Sequence, residues 1–95
     1  MVFDLSKITG LGNYTLKTAQ DRTLYFKNEK VFLVAHKNTI EIRCDTKLAA
    51  HLKEKYESIM ESRYFGRGGI EIVLAGQLNQ SELADLVRLS YNLTS

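Results

Sequence analysis

Proline and tryptophan are both missing from the 95 residues, and cysteine occurs only once. Without proline, the turns have to be found from Gly, Asn and Asp, the residues that tolerate tight backbone geometry. The single thiol, Cys44, excludes an internal disulfide framework and suits a reducing compartment. Long apolar runs are missing too. The longest, Val31–Ala35, is far too short to cross a membrane. The first residues, Met1–Lys7, carry neither the basic segment nor the continuous apolar stretch of a secretory signal. The expectation is a cytoplasmic protein with no membrane association. Charge of one sign is also scarce: a net charge of +2 is too small to argue for a nucleic-acid partner by itself.

What is present is the composition of an ordinary folded domain. Hydrophobic residues make up 44% and charged residues 25%, values that exclude disorder. A chain of this length buries roughly 60–70% of its unfolded surface, enough for one core and too little for two, so residues 1–95 form a single domain. The small basic excess is local. Between Arg22 and Arg43 lie the bases Arg22, Lys27, Lys30, Lys37 and Arg43 against Glu29 and Glu41. From Asn79 onward, Arg88 faces Glu82 and Asp85, so the end of the chain is mildly acidic.

Periodicity gives the elements. Phe3–Ile8 is expected to form a short helical turn ended by Gly10 and Gly12. Alternation from Tyr14 to Ala19, from Thr23 to Lys27 and from Thr39 to Cys44, with the apolar run Val31–Ala35 between the last two, predicts four short strands. The links Gln20-Asp21-Arg22, Asn28-Glu29-Lys30 and Lys37-Asn38 are short and polar, so an antiparallel meander is the simplest connection. The period then changes. Asp45 is a suitable N-cap for a helix with Leu48, Ala49, Leu52, Tyr56 and Ile59 on one stripe. Ile70, Ile72 and Leu74 return to strand alternation, and Asn79…Glu82 has the spacing of a capping box. The helix it opens has Leu83, Leu86, Val87 and Ser90 on its inner face and Tyr91 near the edge. The predicted order is (α)ββββ-α-β-α: an α+β domain with a mostly antiparallel sheet of about five strands and two main helices on one face.

No catalytic or metal constellation emerges from the residue pattern. Cys44 and His51 are too weakly placed for nucleophilic chemistry, because no third residue orients the imidazole. His36, Cys44 and His51 match no zinc spacing. Glu54 and Glu57 sit among lysines on a helix exterior and read as solvated charges. No cofactor is implied. Arg63-Tyr64-Phe65-Gly66-Arg67-Gly68-Gly69 is the most unusual stretch, with two arginines and two aromatics among glycines. It lacks the Lys-Ser/Thr ending of a phosphate loop and precedes a strand, so it reads as a turn aiming Tyr64 and Phe65 into the core. If Leu24, Phe26, Ile40, Ile42, Ile70 and Ile72 face the helices, then Tyr25, Lys27, Glu41, Arg43 and Glu71 face away. Val31–Ala35 has no polar side, so the outer face also needs a cover.

From Thr39 onward the chain resembles the MmcQ/YjbR-like family of small bacterial proteins. The residues that carry the resemblance are Thr39–Cys44, Asp45–Leu52 running into Tyr56–Ile59, then Ser62–Phe65, the strand Ile70–Leu74, and Ser81–Val87 with Ser90-Tyr91. The family usually has a Lys-His-Trp-like cluster before the last strand, where this chain has Arg67-Gly68-Gly69-Ile70. The resemblance implies a fold like that of secretion chaperones and a DNA-binding association.

Two functions follow as expectations. One is a protein-interaction or chaperone-like adaptor, a homodimer or a binder of another protein, with Tyr25, Leu33, Glu41 and Arg43 at the interface. The alternative is a weak, sequence-independent DNA-binding module in which Arg22, Lys37, Arg43, Arg63 and Arg67 contact phosphates. An enzyme is not expected.

Overall fold

A computed structural model describes residues 3–95. The elements run β1 (Thr15–Thr18), β2 (Thr23–Lys27), β3 (Lys30–Ala35), β4 (Thr39–Arg43), α1 (Thr46–Lys55), β5 (Ile59–Ser62), β6 (Gly66–Val73) and α2 (Gln80–Leu93), preceded by a single 3₁₀ turn, Leu5–Lys7. The six strands form one antiparallel sheet in the order β1-β2-β3-β4-β6-β5. This is the expected α+β meander with one strand more than the periodicity suggested. α1 stops at Lys55, so Ile59 belongs to β5 and not to the helical stripe. The strand β5 was missed because Ile59–Ser62 is only four residues long and its two middle residues, Met60 and Glu61, are exposed.

Local chemistry explains the boundaries. Asn28 and Glu29 both have positive φ, 51° and 69°, the two-residue geometry that lets β2 fold back onto β3 without splaying the strands. Asp45 caps α1 by accepting from the amides of Lys47 and Leu48. At α2, Asn79 accepts from the Glu82 amide while Glu82 accepts from the Asn79 amide, which completes the capping box read from the sequence.

The inner face of the sheet carries two rows. Tyr25, Leu33, Ile42 and Ile70 lie side by side on β2, β3, β4 and β6, and Ala35, Ile40, Ile72 and Ile59 form the next row. Leu33, Ile40, Ile42, Ile70 and Ile72 have no exposed surface. α1 lies against β5 and β6, and α2 against β3 and β4. Of β2, α2 meets only the end, where Lys27 Nζ donates to the Tyr91 carbonyl at 3.0 Å. The rest of that part of the face is closed by the N-terminal segment, where Leu5 is buried and Phe3, Ile8 and Leu11 pack at its margin. α2 holds the segment in place: the Tyr91 hydroxyl donates to the Asn13 carbonyl at 2.8 Å, and Arg88 Nε donates to the Thr9 carbonyl at 2.7 Å. Tyr14, Tyr25 and Tyr91 all contact Phe32, the rings of Tyr14 and Tyr91 edge-on.

Phe32 is there because of a register shift. Tyr25 pairs with Leu33 but Phe26 pairs with Val31, which leaves Phe32 as the extra residue of a bulge. The shift reverses the expected parity of β2, so Tyr25 faces the helices where Leu24 and Phe26 were expected. Beyond the bulge β3 and β4 separate, and Ser90 of α2 fills the gap. Its hydroxyl donates to the Phe32 carbonyl and accepts from the Arg43 amide at 2.7 Å, so one side chain replaces a missing ladder bond.

Candidate functional site

The outer face is crossed by one row of residues, Lys17, Leu24, Val34, Glu41, Glu71 and Met60, each paired with the next across all six strands. Glu41 and Glu71 are direct neighbours on β4 and β6 and are 2% and 4% exposed. Like charges directly opposite each other destabilise a sheet unless something compensates them. The compensation comes from two turns. Glu41 Oε2 lies 2.6 Å from His36 Nε2, and its Oε1 accepts from the Ser62 hydroxyl and the Tyr64 amide, both at 2.8 Å. Glu71 takes a two-pronged contact from Arg63, with Nε and a terminal guanidinium nitrogen at 3.0 and 2.9 Å, and a further bond from the Thr39 hydroxyl. Burial pushes the Glu41 carboxyl up, but the His36, Tyr64 and Ser62 bonds together outweigh it and hold the group below its ordinary range. Glu71 in turn raises the Arg63 guanidinium, which is charged in any case.

The same bonds lay the β5–β6 turn over the sheet. Ser62 pairs with Gly66 around the three residues Arg63–Phe65, Gly66 has φ 63°, and the Phe65 amide donates to the Ser62 hydroxyl. Phe65 then sits directly on Gly69, where an added Cβ would come within 2.6 Å of the Phe65 Cβ and 2.5 Å of the Ile42 carbonyl oxygen. Glycine is required at Gly69 for the turn to close. Arg43 lies over the Phe65 ring at 5.0 Å while its Nε donates to the Val31 carbonyl, and Arg22 lies 5.9 Å from the centre of the Tyr64 ring.

This turn is the cover that the outer face was expected to need, and it comes from within the chain. Val34 is fully buried without a second copy. The expected interface residues are placed accordingly: Tyr25 and Leu33 point into the core on the helix side, Glu41 is buried under the turn, and Arg43 is half-buried against Phe65. The reading of Arg63–Gly69 is corrected in the same way. From Gly66 on it is strand, and Tyr64 is not aimed into the core but is 45% exposed on the outer surface.

The expected anion contacts fare differently. Arg22, Lys37, Arg63 and Arg67 are all exposed. Arg22 and Arg63 flank Tyr64, and Arg67 shares the outward parity of Gly69 and Glu71 on β6. The strand charges that solvent reaches on this face, Lys17, Arg67 and in part Arg43, are basic, whereas its strand acids, Glu41 and Glu71, are buried. Sequence reasoning missed Lys17 and the exposure of Tyr64, because both depend on strand parity and on the path of the turn. It also missed the burial of both glutamates, for which the flanking isoleucines of each, Ile40 and Ile42, Ile70 and Ile72, were the only signal.

The residues considered for catalysis are not assembled. Cys44 is buried in the core, where burial and then Asp45 raise its thiol above the usual range, and His51 is exposed on α1. Among the described residues, His36, Glu41 and Glu71 do bring ligand-type atoms within 4.8 Å of one another. Each of the four carboxylate oxygens already has a partner, His36, Ser62 and Tyr64 on Glu41 and Thr39 and Arg63 on Glu71, and no buried side-chain polar atom among the described residues lacks one. The donor set is therefore that of a closed ion-pair network, with Arg63 standing where a cation would bind.

No protein-family model matches the chain, and no curated protein does. Among solved structures, it is similar to a crystal structure of a protein from Pseudomonas syringae solved by the Northeast Structural Genomics Consortium, with 16% identity over 86% of this chain and 87% of that one and a TM-score of 0.74. At that identity the likeness establishes a shared fold and nothing finer.

Proposed function

We propose that this domain is a non-enzymatic module that binds single-stranded nucleic acid weakly and without sequence preference through its outer sheet face. The observation that carries the reading is the sorting of charge there: the acids Glu41 and Glu71 are buried, while Lys17 and Arg67 are exposed on the strands and Arg22 lies against the exposed ring of Tyr64. Cations around an aromatic platform suit a backbone of phosphates with bases free to stack, and an exposed side chain costs nothing to uncover. The DNA-binding association of MmcQ/YjbR-like proteins, which the chain resembles from Thr39 onward, points the same way. No helix-turn-helix or other base-reading element accompanies the patch, which is why sequence preference is not expected. The test is fluorescence anisotropy of a labelled oligonucleotide across salt concentrations. Binding should weaken with salt, with a slope of about −0.7 per neutralised phosphate for a single strand, and Tyr64→Ala should weaken it further.

A second reading, the protein-interaction adaptor, is favoured by the open edge of β1. All four of its residues are exposed, Leu16 is 55% exposed, and β1 pairs only with β2. A partner peptide would add there as a seventh strand. Amide exchange slowed at Thr15–Thr18 in the presence of a partner peptide would support this reading.

A further inference from the structure

Beyond the strand-binding face, two turns meet at one end of the sheet and line an open cleft of about 420 Å³. The β1–β2 turn contributes Asp21 and Arg22, the end of β3 contributes His36 and Lys37, and Phe3 and Tyr25 form apolar wall. The volume lies in the range of small-molecule sites. Three features show that the cleft is suited to a ligand. First, Arg22 and Lys37 are exposed and form no salt bridge among the described residues, so two cations converge on the cleft with Asp21 as the one acid lining it. Second, Tyr25 is only 8% exposed, yet its hydroxyl makes no hydrogen bond among the described residues. Tyr25 is also one of the residues that line the cleft. Third, His36 is held at 2.6 Å by the buried carboxylate of Glu41, which fixes the imidazole at the rim instead of leaving it to rotate.

We infer that this cleft binds a phosphomonoester, with the phosphate between Arg22 and Lys37 and the organic group against Phe3 and Tyr25. Two cations against one acid leave an excess of positive charge for an anionic head, and Arg22 supplies the fork geometry that pairs with phosphate oxygens. The Tyr25 hydroxyl gives the organic group a hydrogen-bond partner that a plain apolar wall would lack. The phosphate has two sources, a free mononucleotide or the 5′ end of a nucleic-acid strand, and both present the same chemistry to the cleft.

The test is a titration of the full chain with adenosine 5′-monophosphate, followed by amide chemical shifts, with adenosine as the control. Shifts should concentrate at Thr18–Thr23 and Ala35–Lys37 and be absent with adenosine. The double variant Arg22→Gln, Lys37→Gln should bind about tenfold more weakly or worse while its other amide signals stay in place, and Asp21→Asn should bind more tightly. Comparing oligonucleotides with and without a 5′-phosphate separates the two sources: an advantage for the phosphorylated strand at these same amides places a strand end in the cleft, and equal behaviour of the two strands with a response to the mononucleotide assigns the cleft to the free compound. Equal responses to adenosine and its monophosphate, no response to any phosphate probe, or a response untouched by the double variant would overturn the proposal. Because Arg22 belongs to both surfaces, the outer face is probed separately by an unphosphorylated strand and the Lys17 and Arg67 variants, neither of which lines the cleft.

Discussion

Glu41 ties together two turns that are remote in sequence, the end of β3 at His36 and the β5–β6 turn at Ser62 and Tyr64. Glu41→Ala should therefore cost about 2 kcal/mol or more, since it takes the acceptor from the buried Ser62 hydroxyl and from the Tyr64 amide. Chemical denaturation reads this directly, and a loss under half that size would mean the turn is not held by the carboxylate. The pH dependence follows from the same bonds. The folded carboxyl lies below its ordinary value of 4.5, so its contribution is complete above that pH and is lost as pH falls through the lower folded value. Wild type should lose more melting temperature than Glu41→Gln on acidification from about pH 5 to about pH 3. Parallel curves would contradict the assignment. Arg63 needs different handling from the other arginines, because Arg63→Ala strands the buried Glu71 and confuses a loss of binding with a loss of fold.

At the level of elements, α2 shows which parts of a helix periodicity can and cannot assign. The Asn79…Glu82 box and the inner stripe were legible, and Val87 and Ser90 have no exposed surface. Leu86, on the same expected face, is only half-buried, so the larger loss belongs to Val87→Ala, at about 2 kcal/mol. The role of Ser90 could not be read in advance, because a serine on an apolar stripe gives no sign that β3 and β4 part beneath it. Ser90→Ala removes one oxygen but orphans the Phe32 carbonyl and the Arg43 amide, and should cost about 2 kcal/mol or more in urea unfolding. A nearly neutral result would show that the strands close over the gap unaided. The reversed parity of β2 has a similar origin. One extra residue at Phe32 turns Tyr25 inward, and nothing in the alternation of Thr23–Lys27 marks the bulge.

For the whole molecule, the α+β class, the meander and the two helices on one face were legible because each rests on local periodicity or a cap. What was not legible depends on long-range geometry. A fully apolar Val31–Ala35 correctly implied cover on both faces, but sequence could not say that residues 63–65 would supply the outer one, and a second copy was the economical expectation. With the cover intrachain, the outer surface is left as a basic patch, with Lys17 and Arg67 exposed on its strands and Arg22 against Tyr64. That patch is the central claim, and the most direct measurement is the salt dependence of binding to an unphosphorylated single strand by wild type and by Lys17→Ala, Arg67→Ala. Both positions are exposed and neither makes a salt bridge among the described residues, so the fold should be unaffected. The expected result is measurable binding at low salt for wild type and a log–log slope flattened by about 1.4 in the double variant, two phosphate contacts at about 0.7 each. Absence of binding at low salt, or a slope identical in the two proteins, would contradict it.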